Sequence, residues 1–396
     1  MSKLEELIQQ YCPDGVEYKP LGDYLSYEQP TKYLVVNTKY DDSYLTPVLT
    51  AGQSFILGYT NEKEGIFQAS KDVPVIIFDD FTTSFHWVDF SFKVKSSAMK
   101  MLRPIDEKKA LFRYLFYCMK NILYVPGDHT RQWIGTYSQF EIPVPPLPVQ
   151  EEIVRILDNF TELQAELQAE LQKRKLQYNY YLDNLLNFNR GGYQAEVRWM
   201  KMSEVMSISR GASPRPIQNY LTDADDGIPW IKIGDVSPSS KYISSTKEKI
   251  KKEGATKSRY LKKGDFILSN SMSFGRPYIL NIDGCIHDGW ISMYGFEEHL
   301  DQDYLYYVLR SESVQTFWTA KANSGGAVSN LNSDIVRNTL IPIPSMTEQK
   351  KIVSILNRFD TLTNDLTAGL PAEIEKRRQQ YEYYRDKLLT FKRKAA

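Results

Sequence analysis

The sequence predicts an α+β protein: two globular α/β domains separated by a long antiparallel two-helix coiled coil, with a pseudo-twofold internal repeat. Three observations predict it. "IPVPPLPVQEEIVRILDNFTEL" (Ile142–Leu163) aligns without a gap to "IPIPSMTEQKKIVSILNRFDTL" (Ile341–Leu362), 199 positions later. "KRKLQYNYYLDNLLNF" (Lys173–Phe188) matches "KRRQQYEYYRDKLLTF" (Lys376–Phe391), now 203 positions later. Within both blocks apolar residues recur at spacings of three and four, the mark of an amphipathic helix. A weaker match of "GVEYKPLGDYL" (Gly15–Leu25) to "EVRWMKMSEVM" (Glu196–Met206) marks the starts of two equivalent domains. The expected order is a domain over 1–149, a helix over 150–189, a domain over 190–344 and a helix over 345–396.

In chain order, "VPVIIFDD" and "WVDFSFKV" read as strands of the first domain, and "EKKALFRYLFYCMKN" as its closing helix. The first long helix opens after a Pro-rich approach, "IPVPPLP". Its stripe is Ile153, Leu157, Phe160, Leu163, Leu167 and Leu171, continued by Leu182 and Leu185. A continuous helix here would be about 60 Å long. Such a stripe needs a partner, and the other copy is the obvious one. The first helix leads from domain one to domain two, so a paired second helix must run back, antiparallel. In the second domain "IPWIKIGD", "GDFILSNS" and "RPYILNID" read as strands and "DQDYLYYVLRSESVQTFWTAK" as helix. The second stripe is Ile352, Leu356, Phe359, Leu362, Leu366 and Leu370, then Leu388, and Gly369 and Pro371 predict a break within it. Leu163, Leu167, Leu171, Leu362, Leu366 and Leu370 flank the insertion of four residues that separates the two offsets. There the first copy reads "ELQAELQAELQKRK" (Glu162–Lys175), one four-residue word written twice and begun again.

Composition bounds the function. The chain has 396 residues, ordinary apolar and charged content and zero formal net charge, so any polyanion must be met by local patches. Three widely spaced cysteines fit reduced thiols better than a disulfide or zinc framework. With no apolar run of spanning length and no secretory N-terminus in "MSKLEELIQQ", a cytoplasmic protein without a membrane partner is expected. No phosphate-binding loop, dinucleotide fingerprint, HExxH or Cys pair is present. The expected catalytic residues, metal ligands and cofactors are therefore none. "PDGVEYK" (Pro13–Lys19) mimics a nuclease signature, but its spacing is too short for two strands and "EVRWMK" lacks it.

What remains is binding. "KEKIKKEGATKSRYLKK" (Lys247–Lys263) carries eight basic residues against two acids, a pattern that suits phosphates or a solvated loop with compensating charge. Polar loops recur at strand ends: "YEQPTKY", "TAGQS", "DDFTTS" and "GDHTRQW" in domain one, and "SRGASPRP", "SNSMSFGRP", "CIHDGW" and "NSGGAVSNLNSD" in domain two. Arg131, Arg276, Asn330 and Asn332 are the candidate base contacts, because Arg suits guanine and Asn suits adenine. Lys32, Lys71, Lys251 and Lys263 are the candidate phosphate contacts. Thr50, Thr82, Thr83, Trp133, Arg210, Ser271 and Ser273 complete the candidate DNA-binding set.

The duplicated "IPxPxxxxQxxIVxIL" approach, the Leu-rich helix and the "KRxxQYxYYxDxLLxF" ending resemble the specificity subunit of type I restriction–modification systems, over essentially the whole chain. The LQAE word resembles a repeat that varies in copy number in that family. The resemblance implies two target recognition domains reading unlike halves of a double-stranded DNA site. It implies helices that dock two methyltransferase subunits, which supply S-adenosylmethionine binding, and restriction subunits that join this core. On that reading the chain itself is a non-catalytic scaffold. The alternative is a protein-interaction scaffold without direct DNA readout.

Overall fold

The computed structural model describes residues 2–52, 54–188, 196–237, 240–270, 275–322, 331–365 and 367–395. It divides into two compact units: Met1–Glu166 with Glu375–Ala396, and Leu167–Ile374. Among the described residues no helix is long and apolar enough to cross a membrane.

In unit one the first helix, Lys3–Tyr11, starts at a capping box in which Ser2 and Glu5 satisfy each other's backbone N–H groups. A four-stranded antiparallel sheet follows, in the order Leu25–Glu28, Met99–Pro104, Val75–Asp79 and Phe85–Val88. The apolar run Val75–Phe78 is fully buried because both faces of that strand are covered, by one cluster through Ile76 and Phe78 and by another through Val75 and Ile77. A smaller sheet joins Ile56–Thr60, Thr46–Leu49 and Lys93–Val94. Helix Phe112–Asn121 packs its aromatic face into the first cluster.

Unit two holds two five-stranded sheets. One runs Ser207–Arg210, Trp290–Tyr294, Phe266–Ser269, Pro277–Leu280, Tyr242–Ile243. The other runs Leu221–Thr222, Glu248–Ile250, Ile228–Ile231, Gly284–Ile286, Arg259–Leu261. The run expected as one closing helix is two, Gln302–Arg310 and Glu312–Ala322, divided at Ser311.

Each unit repeats one frame, which explains the duplicated motifs. The weakly matched segments form strands Tyr18–Pro20 and Arg198–Lys201, and each pairs antiparallel with the Pro-rich approach to a long helix, Glu141–Pro143 or Leu340–Ile343. The repeated glutamine is the bolt. Gln150 is fully buried; its Oε1 accepts Leu111 N at 2.9 Å and its Nε2 donates to Pro145 O at 2.7 Å. Gln349 does the same with Asp301 N (2.7 Å) and Pro344 O (3.0 Å). In both units the amide satisfies an N–H at the start of a domain helix, which no helical carbonyl can reach. Tyr114 and Tyr304 add equivalent bonds to Pro143 O and Pro342 O. Gln150→Ala and Gln349→Ala should each destabilise the protein by about 1–3 kcal/mol, since buried polar groups lose their partners. Urea unfolding of each variant measures this, and a midpoint equal to the parent's would refute it.

The first long helix, Leu147–Leu186, is continuous over 40 residues. The second is broken, as the sequence suggested: Met346–Asn364 ends at Asp365 and Leu370–Leu388 begins after Gly369. A Cβ on Gly369 would meet Thr361 O at 2.3 Å, so only glycine fits this return onto the helix end. Pro371 then falls in the first turn of the new helix, where its missing N–H costs nothing. In unit one Ile153 and Leu157 of the long helix share a core with Leu389, and Phe160 stacks on Tyr384 (centroids 5.5 Å apart). In unit two Leu171, Tyr178, Leu182 and Leu186 are buried, and Tyr181 stacks on Phe359 (5.2 Å). In unit one the numbers rise along the first helix from Ile153 to Phe160 while those of its partners fall from Leu389 to Tyr384, so the pairing there is antiparallel. Leu163, Leu167, Leu362 and Leu370 are half-buried; Leu366 lies outside the described residues.

Candidate nucleic-acid interface

In unit one the "DDFTTS" and "GDHTRQW" loops are tied together by Asp80. Its Oδ1 accepts Trp133 N at 2.9 Å, its carbonyl accepts Gln132 N at 2.8 Å, and its Oδ2 lies 3.3 Å from Lys100 Nζ. Phe81 stacks on His129 across the same junction, centroids 4.7 Å apart. Asp79 caps the turn by accepting Phe81 N and Thr82 N, both at 2.9 Å. Asp128 braces the second loop through Thr130 Oγ1 and Gln132 Nε2. The result is a rigid double loop that leaves Arg131 and Thr82 exposed.

Two residues of the expected set do not reach this surface. Trp133 is 2% exposed, packed edge-on against Phe78 and stacked on Tyr137, so it is core. Thr83 is buried, with a positive φ of 59°, and its hydroxyl donates to Thr82 O. Its place is to close the turn. Thr50 holds the neighbouring "TAGQS" turn, accepting Gly52 N at 3.2 Å, and His86 Nε2 contacts Gly52 O at 2.9 Å. Lys71 is exposed, and Lys32 is exposed but paired with Glu28 at 2.7 Å.

In unit two the "SRGASPRP" and "CIHDGW" loops meet around Asp288. Its carbonyl accepts Arg210 Nε and Asn270 Nδ2, each at 3.0 Å. Its Oδ1 accepts Ser213 Oγ at 2.9 Å and lies 3.1 Å from His287 Nε2. Gly289 N donates to His287 Nδ1 at 2.9 Å, so the ring carries its proton on Nε2 and points it at the carboxylate. Burial pushes the Asp288 carboxyl up, but Ser213, His287 and Arg210 outweigh it and hold it below its ordinary range. The two loops approach closely at Gly211, where a Cβ would sit 2.2 Å from His287 O. A cleft of about 680 Å³ opens beside them, lined by Arg210, Asn270, His287, Asn332 and Arg337.

The expected residues of unit two separate. Arg210 lines this cleft with its Nε held by Asp288 O, and among the described residues its two terminal nitrogens make no hydrogen bond. Asn332 lies in it too, but its Oδ1 caps helix Ser333–Arg337 by accepting Asp334 N and Ile335 N, leaving only Nδ2 to donate outward. Arg276 lies elsewhere, in a cleft of about 790 Å³ beside Leu171, Lys175, Tyr306 and Arg310. Part of the basic run is tied down within the fold. Lys252 pairs with Asp226 at 3.0 Å, Lys249 donates to the carbonyls of Ala224 and Asp225, and Lys251 to Asn219 O. Lys263 is exposed. Ser271, Ser273 and Asn330 lie outside the described residues. The residues that sequence reasoning missed are Asp80, Asp288, Ser213 and Arg215.

Among the described residues no group of His, Cys, Asp and Glu is placed to hold a metal ion. All three cysteines are buried, and burial pushes the Cys118 thiol to about 12 and Cys285 to about 11, where neither is a nucleophile at neutral pH.

Comparison with known proteins bears on the family and the fold. The family model for the type I restriction modification DNA specificity domain matches twice, over residues 13–174 and 195–376. The specificity subunit of the type I restriction enzymes EcoR124I/EcoR124II of Escherichia coli is 44% identical over 413 residues, spanning 99% of this chain and 97% of that one. A chain from a structure concerned with complex assembly and conformational transition of the type I R-M system superposes with a TM-score of 0.62 at 15% identity, covering 95% of this chain and 98% of that one. The S subunit of a type I restriction–modification system from M. genitalium gives 0.57 at 12%, covering 95% and 96%. At those identities the two structures speak for the fold.

Proposed function

The chain belongs to the type I restriction–modification DNA specificity family, and from that premise we propose that it reads a bipartite, asymmetric site in double-stranded DNA. It is a specificity subunit, non-catalytic itself. Residues 1–149 and 190–344 act as two target recognition domains, and 150–189 and 345–396 as the helices that carry partners. One observation carries the reading: the two units share a frame down to individual hydrogen bonds, yet their loop clusters are built differently, around Asp80, Trp133 and the Phe81–His129 stack in one and around Asp288, Ser213 and Arg210 in the other. Equivalent frames deliver two equivalent readers; unlike loops make them read unlike sequences. Arg131 in the first unit and Arg210 in the second offer donor forks suited to guanine O6 and N7. Exposed lysines such as Lys71 and Lys263 supply sequence-independent phosphate contacts.

Catalysis then comes from partners: two methyltransferase subunits, joined by restriction subunits. Two equivalent surfaces support two copies of one partner. Tyr180 and Tyr383 hold matching positions in the repeat, 66% and 61% exposed on otherwise polar helices, each edge-on to the tyrosine that follows it. Sequencing of methylated sites in cells carrying this chain with its methyltransferase should return two different short half-sites separated by unread base pairs. A continuous or palindromic motif would overturn the reading.

A further inference from the structure

An aspartate beside DNA repels phosphates, so a carboxylate at the centre of a reading cluster calls for a reason. Asp288 is one, with a side chain 27% exposed. Its Oδ1 is already engaged by Ser213 Oγ and His287 Nε2, so the carboxylate has little acceptor capacity left for a base edge. Its Oδ2 faces NH2 of Arg215 at 3.3 Å. The Arg215 side chain is 82% exposed, and Asp288 is its one partner among the described residues. Asp288 therefore touches two arginines at once, Arg215 through its carboxylate and Arg210 through its carbonyl.

We propose that Arg215 reads a base of the second half-site and that Asp288 is the positioning residue that sets it, together with Arg210; the proposal rests on the DNA-reading function given above. A long arginine on an exposed loop loses rotamer freedom when it is fixed on a base. A carboxylate that already holds one end of the guanidinium removes part of that loss before DNA arrives. Contact through one terminal nitrogen leaves the other donors of an exposed guanidinium available, and a planar fork matches guanine O6 and N7. The same contact neutralises the aspartate, which then no longer opposes phosphate approach. Ser213 completes the brace, since its hydroxyl donates to Asp288 Oδ1 while accepting Asp288 N at 3.2 Å.

The test uses the complex of the full chain with its methyltransferase partners. Methylation rates are measured on the parent's own site and on duplexes carrying each single base-pair change in either half-site. Asp288→Asn keeps an acceptor for Ser213 but loses the charge that holds Arg215. Both Asp288→Asn and Arg215→Ala should lower discrimination at the same guanine–cytosine position of the second half-site by about 10-fold or more, leaving the first half-site untouched. Arg215→Lys should not restore it, because an ammonium lacks the fork. Arg215 is a surface side chain, so its variant keeps the test alive if Asp288→Asn folds poorly. Equal loss of rate on every duplex, or unchanged discrimination in both variants, would overturn the proposal. A parent complex that shows no bipartite site would instead overturn the function on which it rests.

Discussion

Asp80→Asn is expected to destabilise the protein by about 3–5 kcal/mol, because it leaves a buried ammonium without its counter-ion. Both side chains of the Asp80–Lys100 pair are 2% exposed, and their separation is 3.3 Å. The substitution barely changes shape, and an asparagine oxygen still accepts Trp133 N. What it removes is the charge opposite Lys100. The Tyr27 ring, 4.6 Å from Nζ, offsets part of this and favours the lower end of the range. The decisive comparison is with Asp80→Asn/Lys100→Met, which removes both charges and should recover most of the loss. Chemical unfolding of the two variants measures the difference. If the double variant were as unstable as the single one, the pair would not be the cause. The damage should also be local in function: Asp80 anchors the loop carrying Arg131, so readout should weaken at the first half-site and persist at the second.

The pattern of what the sequence discloses has a physical origin. Helices and their partners were legible because a stripe at spacings of three and four is a local signal, and because it was written twice. The break at Gly369–Pro371, present in one copy only, was legible because glycine and proline are both unfavourable inside a helix. Loop residues were not. Trp133 sits two positions from exposed Arg131, and only the aromatic cluster of Phe78 and Tyr137, distant in sequence, draws it inward. The partners of the basic run were hidden because they are non-local: strand Glu248–Ile250 pairs with Leu221–Thr222, which brings Asp226 to Lys252 and the neighbouring carbonyls to Lys249. Gln150 and Gln349 stood out as repeated letters, but their partners at Leu111 and Asp301 lie 39 and 48 residues away. Asp80 and Asp288 were passed over because an acid in a DNA-facing loop counts against binding until its partners are known.

Inserting one further LQAE word after Glu166 is expected to abolish methylation of the parent's site and create methylation at a site with the same half-sites and a longer spacer. The existing words lie where the chain passes from one compact unit to the other, between Glu166 and Leu167, in a helix without interruption. Four residues add about 6 Å of rise and, after one full turn, about 40° of rotation. DNA turns by about 34–36° per base pair in the same hand. One word therefore rotates whatever follows it by nearly the twist of one base pair, while its rise exceeds the roughly 3.4 Å of one step. The tolerated spacer should lengthen by one or two base pairs. Neither reading cluster contains a residue of the repeat, so both half-sites should remain unchanged. The second helix can take up the mismatch at its existing break, where Asp365–Gly369 already carries residues that the first copy lacks. Methylation-site sequencing with the inserted chain decides it. An altered half-site, or an unchanged spacer, would show that the repeat sets helix length without setting the distance between the two readers.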